Sequence, residues 1–210
     1  MTTVVIIKII VAFIAAYLLG SIPSAYIAGR LKKKIDIRTV GSHNMGAMNT
    51  FYNLGKITGV LVLAADILKG VAAVALADLL DIPNLYMFIC GFIVVMGHNY
   101  PVWLKFKGGK GGATTIGAIV YFIPWSIPIG LVIFLVMLLI TKFPTLSYGV
   151  AMVCFPFVSW LVYGRTDYIV YSTLLLLVPY LSYIPRMKEM KTKGGSWKRV
   201  VKRKNLQDRF

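Results

Sequence analysis

Acidic residues are scarce in this chain: seven Asp and Glu stand against 23 Lys and Arg in 210 residues, a formal net charge of +16. Charge of either sign is thin, at 14% of residues, where a soluble domain carries about 25%. The two cysteines, Cys90 and Cys154, both lie inside apolar runs. They indicate neither a disulfide framework nor a thiolate cluster and read as small buried hydrophobes. Two histidines and seven scattered acids build no metal-ligand constellation, so no metal is expected. A His-x-x-x-x-Asp acid–base pair is excluded because Trp103 stands where the aspartate after His98 would be. A cleavable N-terminal signal is not expected either. The first apolar run carries only Lys8 and passes into Gly20-Ser-Ile-Pro-Ser24 without a small-residue cleavage site.

What fills the chain instead is hydrocarbon, with 58% hydrophobic residues and a mean hydropathy of +0.77. Seven apolar runs, at about 4–22, 57–77, 85–97, 113–122, 127–140, 148–162 and 168–183, read as membrane-spanning helices. The expected fold is an all-α integral membrane protein. The third and fourth runs fall short of the ~20 residues a perpendicular helix needs, so tilted, broken or re-entrant helices are expected there. Twenty of the 23 basic residues fall in the 30–56 segment, the loop around Lys107, Lys142 and the tail from Arg186. Positive-inside asymmetry makes that side cytoplasmic, which puts the N-terminus outside and the C-terminus inside. The basic excess is then topology and attraction to anionic lipid rather than nucleic-acid binding. Two parts are expected, a membrane domain at 1–185 and a basic cytoplasmic tail at 186–210 that either lies on the membrane or is disordered. No repeat or low-complexity segment is evident, and no pair of interrupted helices suggests a transporter of anions. Nothing in these features fixes an oligomeric state.

Three polar stretches are too specific to be plain connectors. In Gly41-Ser-His-Asn-Met-Gly-Ala-Met-Asn49, Gly41 and Gly46 permit tight turns and close approach to main-chain N–H groups. Ser42, Asn44 and Asn49 add donors that do not depend on pH; a polar turn with a helix cap is the plainer reading. The second stretch, Lys105-Phe-Lys-Gly-Gly-Lys-Gly-Gly-Ala-Thr-Thr115, follows Gly97-His98-Asn-Tyr-Pro101. Glycine-rich backbone leading into a helix N-terminus is a ready anion site, and Lys105, Lys107 and Lys110 could neutralise a phosphate. It is no Walker A loop, since Gly111 rather than Ser or Thr follows Lys110. Topology calls for lysines but not for Gly108, Gly109, Gly111 and Gly112 between them. Third, Asp66 and Lys69, spaced i, i+3 within an apolar run, can face each other across one turn. They read either as a functional pair at membrane depth or as a mutually neutralising structural one.

These motifs together resemble the PlsY family of bacterial acyl-phosphate:glycerol-3-phosphate acyltransferases. The likeness is carried, in order, by Gly20-Ser-Ile-Pro-Ser24, Ile35-Asp-Ile-Arg38, Val40 to Asn49, Asp66-Ile-Leu-Lys-Gly70 and Gly97 to Thr115. It implies about seven transmembrane helices in a bacterial cell membrane, with the active face cytoplasmic. It further implies transfer of a fatty acyl group from acyl phosphate to glycerol 3-phosphate, giving lysophosphatidic acid for phospholipid biosynthesis, with no cofactor. Carried onto this sequence, Ser42, Asn44, Lys107 and Lys110 are the expected catalytic residues. Gly41, Gly46, Asn49, His98, Lys105, Gly108, Gly109, Gly111, Gly112, Thr114, Asp66, Lys69 and Arg186 are the expected substrate-binding ones. The backbone amides of Gly108–Gly112 are expected to cradle phosphate.

The sequence departs from the family pattern in two places. His43 stands for a glycine, Met48 for a threonine and Tyr52 for an arginine of the first motif. The family's third motif, with Arg-His, an asparagine and a closing Gly-x-Glu, is replaced by the stretch from Tyr183 to Trp197, where Arg186, Lys188 and Glu189 are the available substitutes. Two readings follow from this: an acyltransferase, and a catalytically degenerate homologue that binds phosphate-bearing lipids or partners without turnover.

Overall fold

The structure, a computed structural model, describes residues 2–201 and Arg203. Every regular element among them is helical. The chain forms two compact units, Met1–Tyr121 and Phe122–Phe210.

In the first unit α1 (Thr3–Ser21) stops at Ile22-Pro23, where proline offers no N–H to continue the ladder, and α2 (Ser24–Lys33) resumes at once. A single 3₁₀ turn (Ile37–Thr39) and α3 (Ala47–Leu54) follow. Gly55 then turns at φ 100° into the 24-residue α4 (Lys56–Leu79). The remaining helices are α5 (Asn84–Asn99) and, after a 3₁₀ turn at Val102–Leu104, the short α6 (Gly112–Val120). Glycines let the long helices touch backbone to backbone, as in membrane helix packing generally. A Cβ on Gly20 would stand 2.1 Å from the Val94 carbonyl oxygen, bringing α1 onto α5. A Cβ on Gly117 would stand 2.0 Å from that of Ile67, bringing α6 onto α4. Beneath the polar loops lies an apolar floor of Ala25, Ile37, Met45, Leu54, Val62 and Leu104. Ile37 and Met45 each enter it from the first polar loop, and each anchors that loop by about 2 kcal/mol of buried apolar surface.

The second unit holds α7 (Ser126–Thr141), α8 (Pro144–Met152), α9 (Cys154–Val158) with a π turn at Ser159–Tyr163, α10 (Thr166–Gly194) and α11 (Trp197–Val201). Thr141 closes the α7–α8 corner: its hydroxyl lies 3.1 Å from that of Ser147 and accepts from the Phe143 amide at 3.2 Å. α10 continues through residue 186 despite Pro179 and Pro185. Met190 and Val200 then bury themselves on Phe143, the Arg203 guanidinium lies 3.5 Å over that ring, and the Arg203 amide donates to the Thr141 carbonyl at 3.2 Å. The described part of the expected tail is therefore helical, with Met190 and Val200 packed on Phe143. Apolar side chains spaced one helix-turn-helix apart, too sparse to stand out in sequence, hold it there.

Each of the seven apolar runs falls on a helix. Five stretches are long and apolar enough to cross a membrane: Thr3–Lys33, Lys56–Leu79, Asn84–Leu104, Pro144–Tyr163 and Thr166–Gly194. α7, at 16 residues, spans about 24 Å and α6, at nine, about 13 Å by helical rise, against a hydrocarbon core of about 30 Å.

The glycine crossings give a direct stability test. Gly117→Ala forces a methyl into the Ile67 carbonyl, and the resulting overpacking costs about 1–3 kcal/mol. A thermal-unfolding midpoint in detergent should fall by several degrees for Gly117→Ala; Gly164, though open, is no control, because its left-handed φ of 62° strains an alanine there. Gly117→Ala is therefore best compared with Val4→Ala, on an exposed turn of α1.

Candidate active site

Two loops of the first unit meet through one arginine. Asp36 caps the 3₁₀ turn by accepting from the Arg38 amide at 3.0 Å, and its other oxygen takes the Arg38 guanidinium at 2.7 Å. The remaining guanidinium nitrogen reaches the Lys107 carbonyl at 3.0 Å and that of Leu104 at 3.4 Å. Arg38 therefore fixes the glycine-rich loop to the Ser42–Asn49 loop, and the Tyr26 ring lies 5.4 Å beneath its charge. The guanidinium hydrogen bond holds the Asp36 carboxyl below the usual carboxylate range, and burial opposes it only in part. In the sequence Arg38 counted as a topological charge and as part of the Ile35-Asp-Ile-Arg38 motif, with no role assigned to it; its neighbour two residues earlier, Asp36, was the available signal.

The first loop is built around Asn49. Its amide nitrogen donates to the carbonyls of Ile37 (2.9 Å), Val40 (3.0 Å) and Asn44 (3.0 Å), and its oxygen accepts from the Ser42 amide (3.0 Å) and from Asn53 (2.9 Å). Asn49 is thus the loop's internal brace. Gly41 turns at φ 62° directly over it, where a Cβ would stand 2.4 Å from the Asn49 oxygen. Gly46 is the N-cap of α3. His43, at φ 55°, is exposed and donates through Nδ1 to the Arg38 carbonyl at 3.1 Å. The Ser42 and Asn44 side chains take no part in this brace and are half-buried at the loop's surface.

The glycine-rich loop is pinned at its near end and open at its far end. Lys105 and Phe106 adopt left-handed φ of 54° and 60°. The amides of Gly108 and Gly109 donate to the carbonyls of Asn99 (3.0 Å) and His98 (3.1 Å). The expectation that all amides from Gly108 to Gly112 cradle a ligand is corrected here, because these two serve the loop's own attachment to α5. The first intrahelical bond of α6 runs from the Thr115 amide to the Gly111 carbonyl at 2.8 Å, so the amides of Gly112, Ala113 and Thr114 are those a helix leaves for a partner. Gly111 enters that turn at φ 78°. Lys105 and Lys107 are exposed and Lys110 half-buried beside it. The buried hydroxyls of Thr114 and Thr115 have no hydrogen-bond partner among the described residues.

Below the loops lies a buried ion cluster. Asp66 pairs with Lys69 at 2.9 Å, accepts from the Ser24 hydroxyl at 3.0 Å and stands 3.6 Å from His98 Nδ1. Lys69 also donates at 3.0 Å to the Ile22 carbonyl, which at the break before α2 accepts from the Ser24 amide as well, at 3.1 Å. All three charged or titratable groups are 5% exposed or less, so they support the loops from beneath. Arg186 lies in the second unit on α10, paired with Glu189; Tyr52 stacks edge-on against Phe51, ring centres 5.5 Å apart.

Comparison with known proteins fits this arrangement. The family model described as glycerol-3-phosphate acyltransferase matches residues 10–192. The chain belongs to the glycerol-3-phosphate acyltransferase family. A relative named glycerol-3-phosphate acyltransferase 2, from Dehalococcoides mccartyi (strain CBDB1), is 52% identical over 207 residues, 98% of this chain and 99% of its own. The glycerol-3-phosphate acyltransferase of Bacillus subtilis (strain 168) is 40% identical over 167 residues, covering 80% of this chain and 86% of its own. The crystal structure of PlsY, an integral membrane glycerol 3-phosphate acyltransferase, in its glycerol 3-phosphate form, superposes with a TM-score of 0.80 at 29% identity, over 88% of this chain and 92% of that one. Its lysophosphatidic acid form gives 0.78 at 28% identity.

Within this acyltransferase fold the Asp36–Arg38 bridge is the acid-sensitive joint. Its folded carboxyl pKa lies below the unfolded value of about 3.9, so the pair stabilises the protein above that value. The contribution is lost as pH falls through the folded pKa. Asp36→Asn should abolish that acid-side loss, read as thermal midpoint against pH from about 5 down to 2. Arg38→Ala should leave the two loops unjoined and raise the KM for a phosphate-bearing substrate about tenfold, the cost of one charge-assisted bridge.

Proposed function

We propose that this protein transfers a fatty acyl group from acyl phosphate to the 1-hydroxyl of glycerol 3-phosphate, releasing lysophosphatidic acid and inorganic phosphate. The observation that carries this reading is the α6 N-terminus. There the unbonded amides of Gly112, Ala113 and Thr114 and the flanking lysines are joined through Arg38 to the Ser42–Asn44 loop. Such an N-terminus favours a phosphate. The relatives' names and the two forms of PlsY, with glycerol 3-phosphate and with lysophosphatidic acid, support the acceptor and the product.

The reaction asks little covalent chemistry of the protein. Acyl phosphate is an activated mixed anhydride. The acceptor oxygen bonds to the acyl carbon, the bond from that carbon to the bridging oxygen breaks with its electron pair going to the oxygen, which leaves as part of phosphate, and the hydroxyl proton leaves to phosphate or solvent. What remains is positioning and charge neutralisation. Lys107 and Lys110 neutralise phosphate charge, assisted by Lys105 and by the amides of Gly112, Ala113 and Thr114. Ser42 and Asn44 orient the acceptor by hydrogen bonds, and Gly41 and Gly46 let their loop turn beneath it. Asp66, Lys69, His98 and Asn49 act from behind, by holding the loops. The chain crosses a bacterial cell membrane seven times, with α6 and α7 as the two shorter crossings, its N-terminus outside and its loops, Arg186 and basic 186–210 end at the cytoplasmic face. The positive-inside distribution supports that orientation.

A second reading, binding of phosphate-bearing lipid without turnover, is favoured by one observation: Tyr52, packed on Phe51, supplies no cation where the family has arginine. Phosphate release from acyl phosphate and glycerol 3-phosphate by the purified protein separates the two. The acyltransferase reading expects release well above spontaneous hydrolysis and a loss of about 100-fold or more in kcat/KM for Lys110→Ala, the scale of losing one transition-state charge contact. Release at the spontaneous rate, unchanged by Lys110→Ala, contradicts it; saturable acyl phosphate binding without release establishes the second reading.

A further inference from the structure

Gly109 has a glycine for a reason its backbone does not give. It lies outside the positive-φ residues, so an alanine could adopt its conformation. A Cβ there would instead meet one side chain: His98 Nε2 at 2.0 Å, with Cδ2 and Cε1 each at 2.9 Å. The imidazole edge occupies the place where a side chain at 109 would sit. Gly108 differs. A Cβ there would meet the carbonyl oxygens of His98 at 2.2 Å and Asn99 at 2.8 Å, and Pro101 Cδ at 2.4 Å, which are obstacles no side-chain replacement at 98 removes.

His98 is itself held on its other edge. Nδ1 faces Asp66 at 3.6 Å, an ion-pair distance rather than a hydrogen bond. Asp66 is fixed by Lys69 and Ser24, and the His98 side chain is 4% exposed. Its carbonyl takes the Gly109 amide at 3.1 Å. One residue thus bears on the loop twice, through its main chain and through the edge of its ring, while the ring's other edge faces the buried ion cluster.

We propose that His98 is a positioning residue for the phosphate loop: its ring, aimed by Asp66, is the template against which Gly109 closes, which is why position 109 carries no side chain. The proposal rests on the reading of this loop as a phosphate binder. Its consequence is a specific suppressor relation. Gly109→Ala collides with the ring; His98→Asn removes the nearest obstructing atom, Nε2, together with Cε1, and leaves one amide atom near the place of Cδ2, 2.9 Å from the added Cβ, while the other keeps the position of Nδ1 toward Asp66. His98→Asn should therefore rescue Gly109→Ala and should fail to rescue Gly108→Ala.

The test is a set of full-length variants assayed in detergent for KM and kcat with acyl phosphate, and for thermal midpoint. Gly109→Ala should raise KM about tenfold, the scale of overpacking a tight site, with kcat changing less than KM. The double variant H98N/G109A should return to within about threefold of H98N alone, and H98N/G108A should stay as impaired as G108A. His98→Leu, which cannot reach Asp66 with a polar atom, should raise KM more than His98→Asn. Defects in H98N/G109A that simply multiply those of the single variants, equal rescue of G108A, or equal KM for H98L and H98N would each overturn the proposal. If Gly109→Ala does not fold, recovery of the folded protein by H98N/G109A supports the template and failure to recover it contradicts it. A wild-type protein without acyl transfer would sink the functional reading alone, since the same suppressor relation is still read in the thermal midpoints.

Discussion

Two backbone hydrogen bonds, from the amides of Gly108 and Gly109 to the carbonyls of Asn99 and His98, determine where the rest of the site lies. They tie a flexible, lysine-bearing loop to the end of a membrane helix. The α6 N-terminus then opens a few residues later at a fixed place. Without that tie, three lysines in a glycine-rich connector would sample many positions, and holding them on a ligand would cost the entropy of each. With it, the charge and the α6 N-terminal amides are already arranged, which, for the phosphate ligand proposed above, is where positional catalysis gains its rate.

The tie is only as rigid as the helix end it uses, and that end stands on the buried Asp66–Lys69 pair. Ions so deep in the protein are expensive, and such a pair is weak grounds for stability in itself. Here its geometry does something else. Lys69 takes the Ile22 carbonyl at the Pro23 break, Asp66 takes Ser24 from the next helix, and the same carboxylate faces His98. Three helices are brought into register at one point under the loops. Removing one partner would leave an unpaired charge, a loss of about 3–5 kcal/mol. Arg38 performs the corresponding task above, where solvent reaches it, between the two loops rather than between helices.

Much of this was legible in the sequence. Seven apolar runs fall on helices because periodicity and hydrophobicity report local structure directly. The Asp66–Lys69 pairing follows from i, i+3 spacing alone. The rest needed tertiary contacts. A carboxamide in a glycine-rich loop reads equally as a ligand donor or as a brace, and only the five hydrogen bonds around Asn49 decide for the brace. Arg38 stood out only as a motif residue and a positive-inside charge, without a role, because its partners, the carbonyls of Leu104 and Lys107, are more than 60 residues away. α10 runs on past two prolines to Gly194, where low apolar content left a surface-lying and a disordered tail equally open; burial of Met190 and Val200 on Phe143 is a tertiary contact that composition does not report.

The central structural claim is that the ligand phosphate meets the amides of Gly112, Ala113 and Thr114 while those of Gly108 and Gly109 belong to the fold. Residue-resolved amide hydrogen exchange, with and without a non-hydrolysable acyl phosphonate, reads this directly. The amides at 108 and 109 should be protected in both conditions, and those at 112–114 should slow only when the phosphonate is bound. Protection gained at 108 and 109, or no change at 112–114 under saturating phosphonate, would contradict it.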